Sequence, residues 1–259
     1  VALDNAFPVL QGYKDSVGIG YHFNFSDPLG YANFGLTVAG SPDGDLPSEE
    51  RGHVELTRQY LGWKGSLSWN RSDFYDLFGP TKKSRKGYAA KLGYTHWQVY
   101  DPPRTLKLTS EIAYYDKIDA LPNYQNVEAP FDQLVTLELG ARYNHPLRSL
   151  GAVDDDKGLG WEGVLTVNRA NGQNVPQVRG GFDFGIPLPM PHSSLWLRTV
   201  GGTANGDRED PFANFYFGGF GNNYVDSGEI KRYREYYALP GFGLNEVSGR
   251  SFARQMIEW

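Results

Sequence analysis

Five histidines, at positions 22, 53, 96, 145 and 192, are the side chains best suited to metal or proton chemistry, and none falls in an H-x-x-x-H spacing. Each reads as a strand or turn residue rather than a ligand. Two carboxylate groupings, Asp43-Gly44-Asp45 and Asp154-Asp155-Asp156, are oxygen-rich enough to suit a hard cation such as Ca²⁺. Neither completes an EF-hand loop, so both read as solvated turns. No G-x-S-x-G elbow and no phosphate-cradling P-loop occurs. Cysteine is absent, which excludes disulfides and thiolate metal sites. The run Lys82-Lys83-Ser84-Arg85-Lys86 could meet anionic headgroups, with a solvated loop as the plainer reading. Arg254 and Glu258 stand four apart, so on a strand they share one face as an opposite-charge pair. These residues lead to the expectation of no catalytic site, no metal and no cofactor.

The elements that would position such residues are strands. Val17, Ile19, Tyr21, Phe23 and Phe25 alternate with Gly18, Gly20, His22 and Asn24. Val135, Leu137, Leu139, Ala141 and Tyr143 alternate with Thr136, Glu138, Gly140, Arg142 and Asn144. Val178, Phe182, Phe184 and Ile186 oppose Gln177, Arg179, Asp183 and Gly185. Comparable alternation recurs from Ala32, Trp63, Tyr88 and Leu106, so the chain reads as a succession of antiparallel strands. Arg58 breaks the rule by standing on the apolar parity of Val54, Leu56 and Tyr60, close enough to a turn to snorkel toward water. Aromatic content of 15%, 32 glycines and two methionines agree with strands and turns. A net charge of -5 gives no electrostatic case for nucleic acid.

Period-two alternation fits a soluble sandwich, with the apolar face in a core, or a membrane barrel, with the apolar face in lipid. A mean hydropathy of -0.50, with no apolar run of about 18 residues, excludes a transmembrane helix but not a transmembrane barrel. The apolar parity is rich in Tyr and Trp, with Trp63, Trp69 and Trp161 near strand ends, where interfacial girdles place them. Links are short at 26–29, 61–62, 101–103 and 187–192, and long at 41–51, 74–86 and 120–131. Short turns on one side and long loops on the other favour the outer-membrane barrel. Two links run against that pattern: 148–158 is long where a short turn belongs, and Asn171-Gly172-Gln173-Asn174 is short where a loop belongs.

The last third carries the most specific sequence. Phe215-Tyr216-Phe217-Gly218-Gly219, then Pro240-Gly241-Phe242, then Ser248-Gly249-Arg250 leading to Ile257-Glu258-Trp259, resembles BamA-like assembly and secretion barrels of the bacterial surface antigen superfamily. The stretches 75–88 and 121–127 resemble a subfamily fused behind a TolB-like β-propeller. In that family an Arg-Gly-aromatic loop tip reaches into the lumen and pairs with acidic groups. Here Pro240 replaces the tip arginine, leaving Arg232 or Arg234 as substitutes and Glu258 and Arg254 as lumenal latch candidates. The resemblance implies that residues 205–249 plug a polar lumen and that their displacement opens a path. The aromatic and glycine content of that segment suits packing, so Phe215, Tyr216, Phe217, Tyr236, Tyr237 and Phe242 are expected to need burial at the barrel mouth, with Gly218, Gly219 and Gly241 permitting the bends.

The resulting expectation is an all-β, antiparallel transmembrane barrel over residues 17–259, with residues 1–16 as a lead-in segment. Ten strands are counted from Val17 to about Ala204, with another from Arg250. The chain would then be a fragment, about strands 2–12 of a sixteen-stranded barrel, with unpaired edges at Val17 and Arg250. The expected function is protein insertion, secretion or translocation in the bacterial outer membrane, without catalysis. The expected partners are outer-membrane lipid, a client polypeptide and an upstream propeller, with no nucleic acid. A passive porin or transporter and a structural or adhesive surface antigen are the alternatives.

Overall fold

Alternating side chains fold into one up-and-down meander of twelve antiparallel strands, each paired with its neighbours in chain order. The computed structural model describes residues 1–13, 16–42, 46–70, 83–84, 87–120, 131–190, 193–218, 239, 241–243 and 246–259. The strands are β1 (Ala2–Tyr13), β2 (Ser16–Ser26), β3 (Ala32–Gly40), β4 (Gly52–Tyr60), β5 (Trp63–Trp69) and β6 (Tyr88–Asp101). They continue as β7 (Arg104–Asp116), β8 (Leu134–Leu147), β9 (Lys157–Ala170), β10 (Gln173–Pro187), β11 (Ser194–Ala204) and β12 (Ser251–Glu258). Two short ribbons, Lys83–Ser84 with Asp119–Ala120 and Phe215–Phe217 with Val247–Gly249, pair outside the main sheet. Among the described residues there is no α-helix.

The start of the chain corrects the sequence expectation. Residues 2–13 are a full strand rather than a lead-in segment, and the strand that holds Val17 is paired on both sides, with Val17 opposite Gly12. The alternation there is hidden by a bulge between Leu3 and Asn5, which shifts the phase. Leu3 therefore shares a face with Ala6, Pro8 and Leu10, although their numbers differ in parity. Pro8 lacks an N–H, and an edge strand tolerates that. The strand absent from the count of 2–12, expected to lie before Val1, is thus supplied by residues 2–13. The free edges are β1 and β12, which pair only with β2 and β11, so the twelve strands form an open sheet.

Register assigns the two faces. Leu3, Phe25, Phe34, Arg58, Gly65, Leu92, Ile112, Leu137 and Val167 form one row across β1–β9. Leu67, Leu92, Ile112, Leu139, Phe182 and Phe184 on this apolar face stand exposed. Trp69 lies opposite Tyr88 and Trp63 opposite Tyr94, bracketing β5 at both ends. The opposite, polar face carries the ion pairs and receives the only hydrophobic core cluster described, Ala89, Ala113, Tyr115, Ile118, Phe131 and Leu134. That cluster sits where β6, β7 and β8 meet the long links.

The links sort by end. Leu61–Gly62 and Pro102–Pro103 close hairpins at one end; the links that follow Gly40, Trp69, Asp116 and Ala204 leave the sheet at the other. Both irregular links keep their places. Asn171 and Gly172 both have positive φ, +48° and +76°, so β9 and β10 join in a type I′ turn at the long-loop end. The 148–156 turn is built from its own aspartates: Arg148 donates to Asp155 at 3.1 Å and the Ser149 N–H to Asp156 at 2.9 Å. Hydrogen bonding from Ser149 holds the Asp156 carboxyl below its usual range. Asp155 and Asp156 are thus held by the turn's own Arg148 and Ser149. Asp43, Gly44, Asp45 and the basic run's Lys82, Arg85 and Lys86 lie outside the described residues.

A buried polar trio ties two long-loop corners together. His53 accepts at Nε2 from the Ser41 hydroxyl at 2.8 Å and donates from Nδ1 to the Asn70 carbonyl at 2.7 Å. Asn70 donates to the Glu49 carbonyl at 2.7 Å and accepts from the Gly87 N–H at 3.1 Å. Asn70 is 2% exposed with φ of +44°, a conformation Asn tolerates better than Ala. Asn70→Ala should lower unfolding free energy by about 2 kcal/mol, since it orphans the buried Gly87 N–H and removes the part-buried hydrogen bond to the Glu49 carbonyl. Urea unfolding measures this; an unchanged midpoint would mean that the corner carries no stability.

Candidate polar-face site

Strands β8 to β12 each place a charged residue on the polar face because their apolar residues occupy the other parity. Arg142 on β8 lies directly opposite Glu162 on β9 and donates to it from Nη2 at 2.6 Å and from Nε at 3.1 Å. Arg179 on β10 brings its Nη2 to 3.4 Å from the other carboxylate oxygen. Glu162 is 7% exposed, so one buried carboxylate sits between two guanidinium groups. Toward the short-turn end, Arg198 bridges Asp183 at 3.0 Å and Glu258 at 3.2 Å while lying over the Trp196 ring. Gly185 leaves room for that ring, which would strike any Cβ at 2.5 Å.

Arg254 shares its row with Val200, Gly181, Glu162 and Arg142. Small residues in the middle of that row open a cavity of about 270 Å³ lined by Arg142, Glu162, Asp183, Arg198 and Arg254. Two carboxylates and three arginines line it as cross-strand partners or neighbours, so the wall carries a small excess of positive charge. Such a surface presents hydrogen-bonding groups of both charges to the space beside it. Among the described residues no three His, Asp or Glu side chains converge on a metal position.

The long connection between β11 and β12 begins against this face. Asp210 caps the short turn Pro211–Ala213 by accepting from the Phe212 N–H at 2.8 Å. Asn214 fastens the same corner through the Arg208 and Asp210 carbonyls at 2.8 and 3.0 Å. Gln177 on the polar face donates to the Phe212 carbonyl, and the Phe212 ring meets Phe131 at 5.3 Å. Phe215 and Phe217, 4% and 9% exposed, pack edge-on against Phe252 of β12 at 4.8 and 4.9 Å. Gly202 makes this packing feasible, because a Cβ there would sit 2.7 Å from the Phe252 ring and 3.0 Å from that of Phe215. Burial pushes the Tyr216 phenol up, so it stays neutral.

The positions expected from sequence divide accordingly. Gly218 is buried and accepts a hydrogen bond from the Leu239 N–H. Gly241 takes a φ of +97°, the left-handed bend anticipated for the loop tip. Phe242, expected to need burial, is instead 45% exposed. Gly219, Arg232, Arg234, Tyr236, Tyr237 and Pro240 lie outside the described residues. Arg254 and Glu258 share the polar face as their spacing requires, but Glu258 sits at the short-turn end, opposite Trp196 and paired with Arg198. Sequence reasoning missed Glu162 and Arg198 as the centres of the two ion-pair groups. The signal for Glu162 was a lone charge in the otherwise apolar strand from Leu159 to Val167. It also missed Ser41 with His53, whose pairing depends on strands meeting rather than on spacing.

Comparison with family models, curated protein sequences and solved structures found no match for this chain.

Proposed function

We propose that this chain forms the wall of a bacterial outer-membrane β-barrel that acts in protein insertion, secretion or translocation, with segment 205–249 as its plug. The observation that supports this best is the seating of Phe215 and Phe217 on Phe252, on the face that carries the ion pairs. A connection that merely joined two strands would have no reason to bury its aromatics there. The exposed apolar rows, ended by Trp63–Tyr94 and Trp69–Tyr88 pairs, suit a hydrocarbon layer between two interfaces. The partners on this reading are outer-membrane lipid, a client polypeptide and a β-propeller domain upstream. The passive-porin reading draws on the same wall, because pairing within the sheet keeps it polar without a client.

Proteoliposomes containing the protein should speed integration of a urea-unfolded outer-membrane barrel protein several-fold over protein-free liposomes. Protease protection of the client reads the rate. Equal rates together with leakage of small sugars would favour the porin and reject the assembly role.

A further inference from the structure

We propose that Arg58, with the notch above Gly65, holds the phosphate of one anionic glycerophospholipid on the apolar face at the short-turn end. This rests on the membrane reading above. Arg58 lies between Phe34 and Gly65 in a row that is otherwise apolar. Among the described residues its guanidinium has no hydrogen bond and no ion pair. An arginine on a lipid-facing row is costly at mid-depth and nearly free close to the interface. Here the neighbouring row is Tyr60, Trp63 and Tyr94, beside the Leu61–Gly62 turn. That row is two residues away, about 7 Å along the strand, within the span of an extended arginine. The guanidinium therefore reaches headgroup level, where a planar fork matches two phosphate oxygens.

Gly65 supplies the second half of the site. The atom nearest to a Cβ built there is the Lys91 carbonyl at 3.7 Å, an ordinary contact. Neither backbone nor packing therefore demands glycine. Its lack of a side chain leaves a gap in the row between Arg58 and Leu92, two residues from Trp63, and that gap is the channel proposed for an acyl chain. An acyl chain lying in that channel places its phosphate beneath the guanidinium. The Tyr60 hydroxyl and the Trp63 indole N–H are then available to glycerol and ester oxygens.

Native mass spectrometry of the protein released from vesicles of phosphatidylcholine with a minor share of phosphatidylglycerol tests the site. Wild type should retain one phosphatidylglycerol. Arg58→Gln should retain about tenfold less, the loss of one charge-assisted contact. Gly65→Leu should lose the lipid with the charge intact, and excess inorganic phosphate should not displace it. Retention unchanged in both variants, displacement by inorganic phosphate, or equal retention of phosphatidylcholine would overturn the site. The membrane reading is checked separately with brominated phosphatidylcholine, which should quench Trp63, Trp69 and Trp161 in every variant. Absent quenching rejects membrane insertion, whereas quenching without retention rejects the lipid site alone.

Discussion

Replacing residues 206–249 with a short Gly-Ser turn between Asn205 and Arg250 should raise conductance in planar bilayers by roughly tenfold or more, as expected when a barrel loses its plug. The junction is already closed in the fold: the Ala204 N–H donates to the Arg250 carbonyl at 2.7 Å, so a tight hairpin can join the strands without moving them. What the deletion removes is the wedge of Phe212, Phe215 and Phe217 from the polar face. Replacing only 219–246 with Asn-Gly, which gives a three-residue loop between the paired Phe217 and Val247, keeps that wedge and its ribbon and should leave conductance closer to wild type. Phe252→Ser should fall between the two, because it loosens the seat while leaving the segment in place. If the full deletion conducts no better than wild type, the segment is not a plug and the assembly reading loses its gate.

Legibility in the sequence followed local periodicity. β2, β8 and β10 were readable because nothing interrupts their alternation, whereas Asn171-Gly172 was read only as a link too short for its place, and its turn type came from the φ values. β1 was not readable: the bulge before Asn5 inverts the phase, and Pro8 argues against a strand wherever the edge position is unknown. The polar-face site was half legible. Arg142, Arg179 and Asp183 follow from parity alone, but which charges meet depends on strand register. Register fixed the two groups in a way spacing does not: Glu162 meets Arg142 across 20 positions, and Arg198 meets Glu258 across 60. The loop's aromatics were correctly read as needing shelter at Phe215 and Phe217, where Phe252 and Gly202 supply it. Phe242 departs from that reading, since it lies just past Gly241, on a bend that turns it outward.

Glu162→Ala should cost about 3 kcal/mol of unfolding free energy in lipid vesicles, because it strips the shared partner from two guanidinium groups beside a half-enclosed cavity. The lower end of the buried-pair range applies because Arg142 is itself half exposed and can hydrate. Glu162→Gln keeps an acceptor but removes the charge, and should cost about half as much. The reference is the exposed Asp101–Arg104 pair in the β6–β7 turn, where Arg104→Ala should change stability by no more than about 0.5 kcal/mol. Urea titrations at low and high salt separate the two cases, since screening erases the turn pair but hardly touches Glu162. The same substitution also changes the charge of the wall: with Glu162 gone, Arg142, Arg198 and Arg254 face the cavity against Asp183 alone. The plug-deleted protein carrying Glu162→Ala should therefore favour anions more than the plug-deleted parent, read as a shift in reversal potential under a salt gradient. A loss of stability without that shift would place the Glu162 group within the wall but away from the path; a shift without the loss would make it a selectivity element that the fold does not need.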